Sequence, residues 1–430
     1  MQIPVNVRED SDAHRSRATL AKPAAVLVAA ALWIAAGALL WKTEVPHLEL
    51  PQVDPRTYFG ASDLARIEHF RRVTRALLLG ALAVEAVVLA LLVWKASWLA
   101  DSIGGFAKGR LRTGALLGAL AAFAVWLALL PLGALSQWWR RRYGLSNQGY
   151  ASWLRDQAVS LAIQIVLVTA AVALVMSLAG WLGHRWWLAG GPALALAATG
   201  LILASPLVVQ PLFNRFEPLP DRQLAAQIEA LARKEGVTVK SVEVADASKQ
   251  TTAPNAYVAG IGPTRRVVLF DTLLDGRFSR AEILSVSAHE LAHVGRRHLW
   301  KGLGWFALIA VPCSFAVAWA TEPRGGMAEP HAVPLGLAVA FVLFLLTLPL
   351  SNAVSRRYEA EADWIALRST NDAQAFVGLE QSFVSTGLID PDPPGWYSFA
   401  IATHPSPLDR IAMAKAYESR LLSARSLEGS

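Results

Sequence analysis

Seven stretches of this chain are apolar over a bilayer-spanning length or nearly so: residues 24–41, 76–94, 115–135, 159–182, 187–208, 303–320 and 334–350. Crossing the hydrocarbon core takes roughly 20 mainly apolar residues in one helix. Such a chain is a bundle of spanning helices before it is anything else. Only 17% of its 430 residues are charged, against about 25% in an ordinary soluble domain. Tryptophans stand near the ends of the runs (Trp41, Trp94, Trp138, Trp139, Trp186, Trp187, Trp300), where an aromatic belt meets the headgroups. The polar leader before the first run is long for a signal peptide and no small-residue cleavage site follows, so an uncleaved anchor is expected. The single cysteine, Cys313, excludes an intramolecular disulfide and reads as a small buried hydrophobe.

The formal charge of +7 fits arginine-rich flanks of a membrane protein. No stripe of arginines interleaved with aromatics accompanies it, so nucleic acid is not an expected partner. Seven crossings place Arg66, Arg71, Arg72, Arg75 and the run Arg140–Arg142 on the same side as residues 210–299 and the C-terminus. Lys95, Lys108, Arg110, Arg112, Arg185 and Arg324 fall opposite. The excess puts the non-membrane part in the cytoplasm, and the Ala/Arg/Trp-rich composition suggests a bacterial inner membrane. Four segments follow: a leader with five spans (1–208), an α+β segment (209–299), two further spans (300–354) and a polar C-terminal region (355–430).

Within 209–299, residues 221–236 read as a helix capped by Asp221 and stopped by Gly236. Residues 240–245 and 265–270 read as strands. Ser279 and Glu282 form a capping box that opens a helix carrying Ser-Ala-His-Glu-Leu-Ala-His, residues 287–293. On that helix, positions i and i+4 lie one above the other, so His289 and His293 can offer two imidazole nitrogens to one zinc ion. Glu290 then stands where a carboxylate can take a proton from an activated water. A catalytic zinc needs a third protein ligand and an open position. Glu359 and Asp363, again i and i+4, can supply it, one binding metal while the other orients a ligand histidine. The competing reading of that stretch is an acidic helix face shared with Glu361.

These residues resemble the type I CAAX prenyl endopeptidases, integral-membrane zinc metalloproteases of the gluzincin class. The resemblance rests on His289-Glu290-x-x-His293 with His298, Glu359-x-x-Ala362-Asp363 after Ser355-Arg356-Arg357, and Asn255-Ala256-Tyr257 with Gly260. It also rests on Val267 to Leu274, Pro211-Leu212-Phe213-Asn214, and His404-Pro405 with Arg410. It implies one Zn2+ per chain held by His289, His293 and Glu359, with Glu290 activating water and Asp363 orienting a histidine. It further implies that Asn255, Ala256 and Tyr257 lie along the substrate backbone, and that His404 and Arg410 stabilise the oxyanion. His298 is not expected to be a ligand, because a fourth would close the site. The implied fold is mainly α, seven spanning helices enclosing a chamber with a small α+β zinc metallopeptidase domain.

The expected function is a membrane-embedded zinc endopeptidase cutting prenylated or other membrane-associated peptides. Bacteria generally lack prenylated CAAX proteins, so a broad-specificity protease in membrane-protein quality control is the alternative. A seven-helix transporter or scaffold with non-catalytic zinc is the distant one.

Overall fold

The structure, a computed structural model, describes residues 30–428, with side chains through residue 423. The polar leader and the start of the first apolar run lie outside the described residues. The rest of that run forms α1 (Ala30–Leu40), in a unit of its own that ends at Thr43. The second unit, Glu44–Ser430, carries everything that follows.

Six helices among the described residues are long and apolar enough to cross a membrane. They are α2 (Ala61–Trp94), α4 (Arg110–Arg142), α5 (Tyr150–Leu182), α6 (Trp187–Val208), α10 (His298–Thr321) and α11 (Val333–Thr370). The short α3 (Ala96–Ala107) follows α2. The seventh expected span is represented only by α1. Glycine lets two spans touch: a Cβ at Gly191 of α6 would stand 2.8 Å from the backbone of Val311 in α10.

After α6, a single-turn α7 (Gln210–Phe213) leads into the α+β segment. There, β1 (Phe216–Pro218), α8 (Arg222–Lys234), β2 (Ser241–Ala245), β3 (Ala256–Ala259) and β4 (Arg266–Phe270) precede α9 (Arg280–Gly295). The sheet order is β1-β2-β4-β3. The two strands read from sequence pair in parallel, and β3 runs antiparallel to β4 at the sheet's edge. Asp221 caps α8 by accepting from Leu224 N–H. Burial of Ile228, Val267, Leu269 and Leu291, each fully inaccessible, welds α8, the sheet and α9 into one core. α12 (Ala373–Gly387), α13 (Gly395–Ala400) and α14 (Pro407–Glu428) complete the chain.

Two features aim the site. Ser279 Oγ accepts from Glu282 N–H while Glu282 Oε2 accepts from Ser279 N–H, fixing where α9 begins. Ala288 and Ala292 of α9 share a buried cluster with Ala362 and Ala366 of α11. Such small residues let two helices pack closely, so side chains beside them can reach one point.

Candidate metal centre

His289 Nε2 and His293 Nε2 stand 3.1 Å apart, the outcome of their i, i+4 spacing. Glu359 on α11 completes a triangle, its Oε2 3.2 Å from His289 Nε2 and its Oε1 3.5 Å from His293 Nε2. Three ligands about 2.0–2.2 Å from a tetrahedral zinc would be separated by roughly 3.3–3.5 Å, so these side chains fit one such ion without rearrangement. Glu359 Oε2 is buried and accepts no well-aligned hydrogen bond. An oxygen in that state needs a cation to offset its lost hydration. Burial alone would lower the His289 ring, but Asp363 and Glu359 outweigh it and push it up to about 10. The pocket therefore strongly favours positive charge, supplied by a proton or by a metal that displaces it.

Behind the triangle, Asp363 Oδ1 accepts from His289 Nδ1 at 2.8 Å. That bond puts the ring proton on Nδ1 and leaves Nε2 free as a donor to metal. Asp363 is in turn clamped by Arg410, whose Nε and Nη2 donate to its two oxygens at 2.8 and 2.5 Å. Arg410 Nη1 lies 2.8 Å from Glu380 Oε1, an ion pair without a hydrogen bond to that oxygen. All three guanidinium nitrogens thus face carboxylates. The structure aims Arg410 at Asp363 and Glu380, where the sequence resemblance had it facing the scissile carbonyl.

Glu290, next to His289 on α9, lines a cavity of about 660 Å³ together with Tyr257, Gly260 and His293. Burial pushes its carboxyl above the ordinary range, which suits a group that must accept a proton near neutrality. His404 reaches the triangle from the C-terminal region, its Nε2 3.3 Å from Glu359 Oε2. Its side chain is 57% exposed, so it faces open space above the ligands. Of the three strand residues, Tyr257 lines the Glu290 cavity. Ala256 turns its methyl into the core and has only backbone to offer. Asn255 sits exposed at the strand's start, its Oδ1 accepting from Ala256 N–H. A second cavity, about 730 Å³ and mostly apolar, opens between α5, α6, α10 and α11 and also reaches His293 and Glu359. The metal triangle therefore lies where a half-polar groove and an apolar chamber meet.

Three site residues escaped the sequence reading. Glu380 is almost fully buried; it sits on the apolar stripe Phe376, Leu379, Phe383 and Val384 of α12, and that misplaced charge was its signal. Glu361 was read only as part of an acidic face, yet it is 1% exposed. Glu44 carried no signal at all: its N–H donates to Glu361 across 317 residues of sequence.

Comparisons with known proteins agree with this geometry. Residues 218–418 match the sequence pattern of Peptidase family M48. Residues 67–215 match a CAAX prenyl protease N-terminal domain described as five membrane helices. The chain is 31% identical over 306 residues to the Bacillus subtilis protein named uncharacterized metalloprotease YhfN, covering 68% of this chain and 71% of that one. It is 28% identical over 362 residues to the rice CAAX prenyl protease 1 homolog, covering 76% and 79%. The crystal structure of S. mikatae Ste24p shares the fold, with a TM-score of 0.73 over 89% of this chain and 96% of that one at 18% identity. Fold, site and matches together define a multi-pass membrane metalloprotease. The chain belongs to Peptidase family M48, within the group of the CAAX prenyl proteases and Ste24.

Proposed function

We propose that this chain is a zinc endopeptidase that cuts membrane-associated peptides, with His289, His293 and Glu359 as ligands and Glu290 as general base. The observation that carries it is the triangle of ligand atoms, spaced as a tetrahedral zinc requires, with the half-buried Glu290 on the adjoining groove. Zinc held there would supply Lewis-acid chemistry, lowering the pKa of a water from about 15.7 toward 7. Glu290 is the carboxylate placed to accept a proton from an attacking water in the groove and to return it to the leaving amine. The free edge of β3 pairs with the substrate backbone as an added strand, with Tyr257 walling the groove. His404 donates to the carbonyl oxygen as it gains charge, and Arg410 holds Asp363, which holds His289. The four segments proposed from sequence divide the labour, 209–299 and 355–430 meeting at the metal between the spanning regions. The excess of arginine on one side favours a cytoplasmic site in a bacterial inner membrane.

The apolar chamber suits a lipidated or strongly apolar tail, and the rice relative is named for prenyl substrates. A broad-specificity quality-control protease would use the same chemistry on unmodified peptides. Turnover of a farnesylated peptide beside its unmodified twin decides between them: faster cleavage of the farnesylated peptide supports the first, equal rates the second. Glu290→Gln should cut either rate by about 10²–10⁴-fold with zinc retained. Undiminished cleavage by that variant sinks the mechanism, and indifference to chelator favours a non-catalytic scaffold.

A further inference from the structure

We propose that His298 and Glu361 form a second positioning arm of the metal centre, acting on His293 as Asp363 and Arg410 act on His289. The inference rests on the metal-site reading above and goes beyond it, since neither residue touches the three ligand atoms.

The arm depends on a break in the chain. α9 ends at Gly295, and Arg297 adopts a left-handed conformation at φ 57°. His298 therefore opens α10 and turns back toward α9. Its Nδ1 lies 2.8 Å from His293 Nδ1 and its Nε2 lies 2.9 Å from Glu361 Oε2. The ring stacks on Tyr358 with centroids 4.7 Å apart and planes 8° from parallel. Its side chain is 5% exposed and that of Glu361 1%.

Proton accounting then admits one arrangement. To offer Nε2 to a metal, His293 must carry its hydrogen on Nδ1. That N–H faces His298 Nδ1, which must accept and so be bare. The hydrogen of neutral His298 then sits on Nε2 and donates to Glu361. Glu361 is fixed by two more donors, the Glu44 N–H at 2.6 Å to Oε1 and Lys301 Nζ at 3.3 Å to Oε2. Both ring nitrogens of His298 are thereby engaged, so it orients a ligand without becoming one. Each ligand histidine has its Nδ1 tied to a carboxylate, His289 directly and His293 through one intervening ring. Such ties fix a ring's orientation and strengthen it as a donor.

The test uses the full chain in detergent, with zinc affinity measured by chelator competition and cobalt as a spectroscopic substitute. His298→Phe keeps a ring over Tyr358 and removes both nitrogens; it should weaken zinc about 10–100-fold, and melting of the zinc-free variant reads separately what Glu361 loses with its ring donor. Glu361→Gln keeps an acceptor and loses charge, so its loss should be smaller. In both, the visible bands of bound cobalt should shift, which a purely structural role would not produce. His289→Ala, as control, should abolish binding. Zinc affinity within about threefold of the parent for both variants, with cobalt bands unmoved, overturns the arm. Should His298→Phe fail to fold, Glu361→Gln alone decides by the same criterion. A parent that takes up no zinc overturns the site reading itself, a result distinct from failure of the arm.

Discussion

Leu196 and Leu291 are the same side chain under opposite conditions. Leu196, near the middle of α6, is 73% exposed; Leu291, between the two motif histidines of α9, is fully buried. The contrast extends to whole regions. Trp181, Trp319 and Leu346 on the spanning helices are 80%, 74% and 70% exposed, a surface that water would punish and hydrocarbon does not. Around α9, apolar residues close over the sheet, and Asp363, Glu361 and Glu380 are buried at 0%, 1% and 1%. In the spans, hydropathy reports the surrounding solvent. Around α9 it reports packing, and the charges it excludes must find each other.

The largest effect should come from cutting that charge network. Asp363→Ala leaves Arg410 with Glu380 alone and releases the His289 ring; breaking a buried pair costs about 3–5 kcal/mol, and losing the ring's partner costs about 10–100-fold in metal affinity. Thermal melting and chelator competition read both. A variant that melts and binds zinc like the parent would show that the buried charges are not a structural unit. Next comes Leu291→Ala, expected to lose about 2–5 kcal/mol as a cavity opens beside the ligands. A loss under about 1 kcal/mol would mean that this layer is as loosely packed as the membrane wall.

How much of this was legible in the sequence follows the same division. Long apolar runs and an i, i+4 histidine pair are local patterns, and the six described spans and α9 lie where those patterns put them. The Ser279–Glu282 box marked the start of α9 because capping is decided within one turn. What local pattern cannot decide is rotation of one helix against another. The residues alone left open whether Glu359 or Asp363 faces the Nε2 atoms of the two histidines; the packing of Ala288 and Ala292 against α11 turns Glu359 toward both and Asp363 toward His289 Nδ1. Arg410 could not be aimed from sequence because its second partner, Glu380, lies on a different helix. The turn that brings His298 back to His293 was not legible, since nothing in Gly295-Arg296-Arg297 announces a non-glycine residue at positive φ.

Glu380 offers a smaller and pH-dependent effect. Burial drives its carboxyl up to about 7, against the pull of Arg410. A group whose folded pKa lies above its unfolded value stabilises the fold below the unfolded pKa and loses that contribution as pH rises through the folded one. Stability should therefore fall between about pH 5 and 8, by at most about 3 kcal/mol. Glu380→Gln should flatten that slope, since an amide does not titrate. An unchanged melting profile in the variant would place the titration elsewhere.

Leu196→Ala should have the smallest effect, within about 0.5 kcal/mol in detergent. A leucine turned outward on a spanning helix exchanges contacts with acyl chains for contacts with acyl chains, so truncation removes little that folding had gained. Leu291 loses the same methyl groups to an empty cavity, and the difference between the two variants measures how far packing, rather than hydropathy, holds each region. A loss of more than about 2 kcal/mol at Leu196 would break the comparison, because only contact with another protein surface could make that face so sensitive.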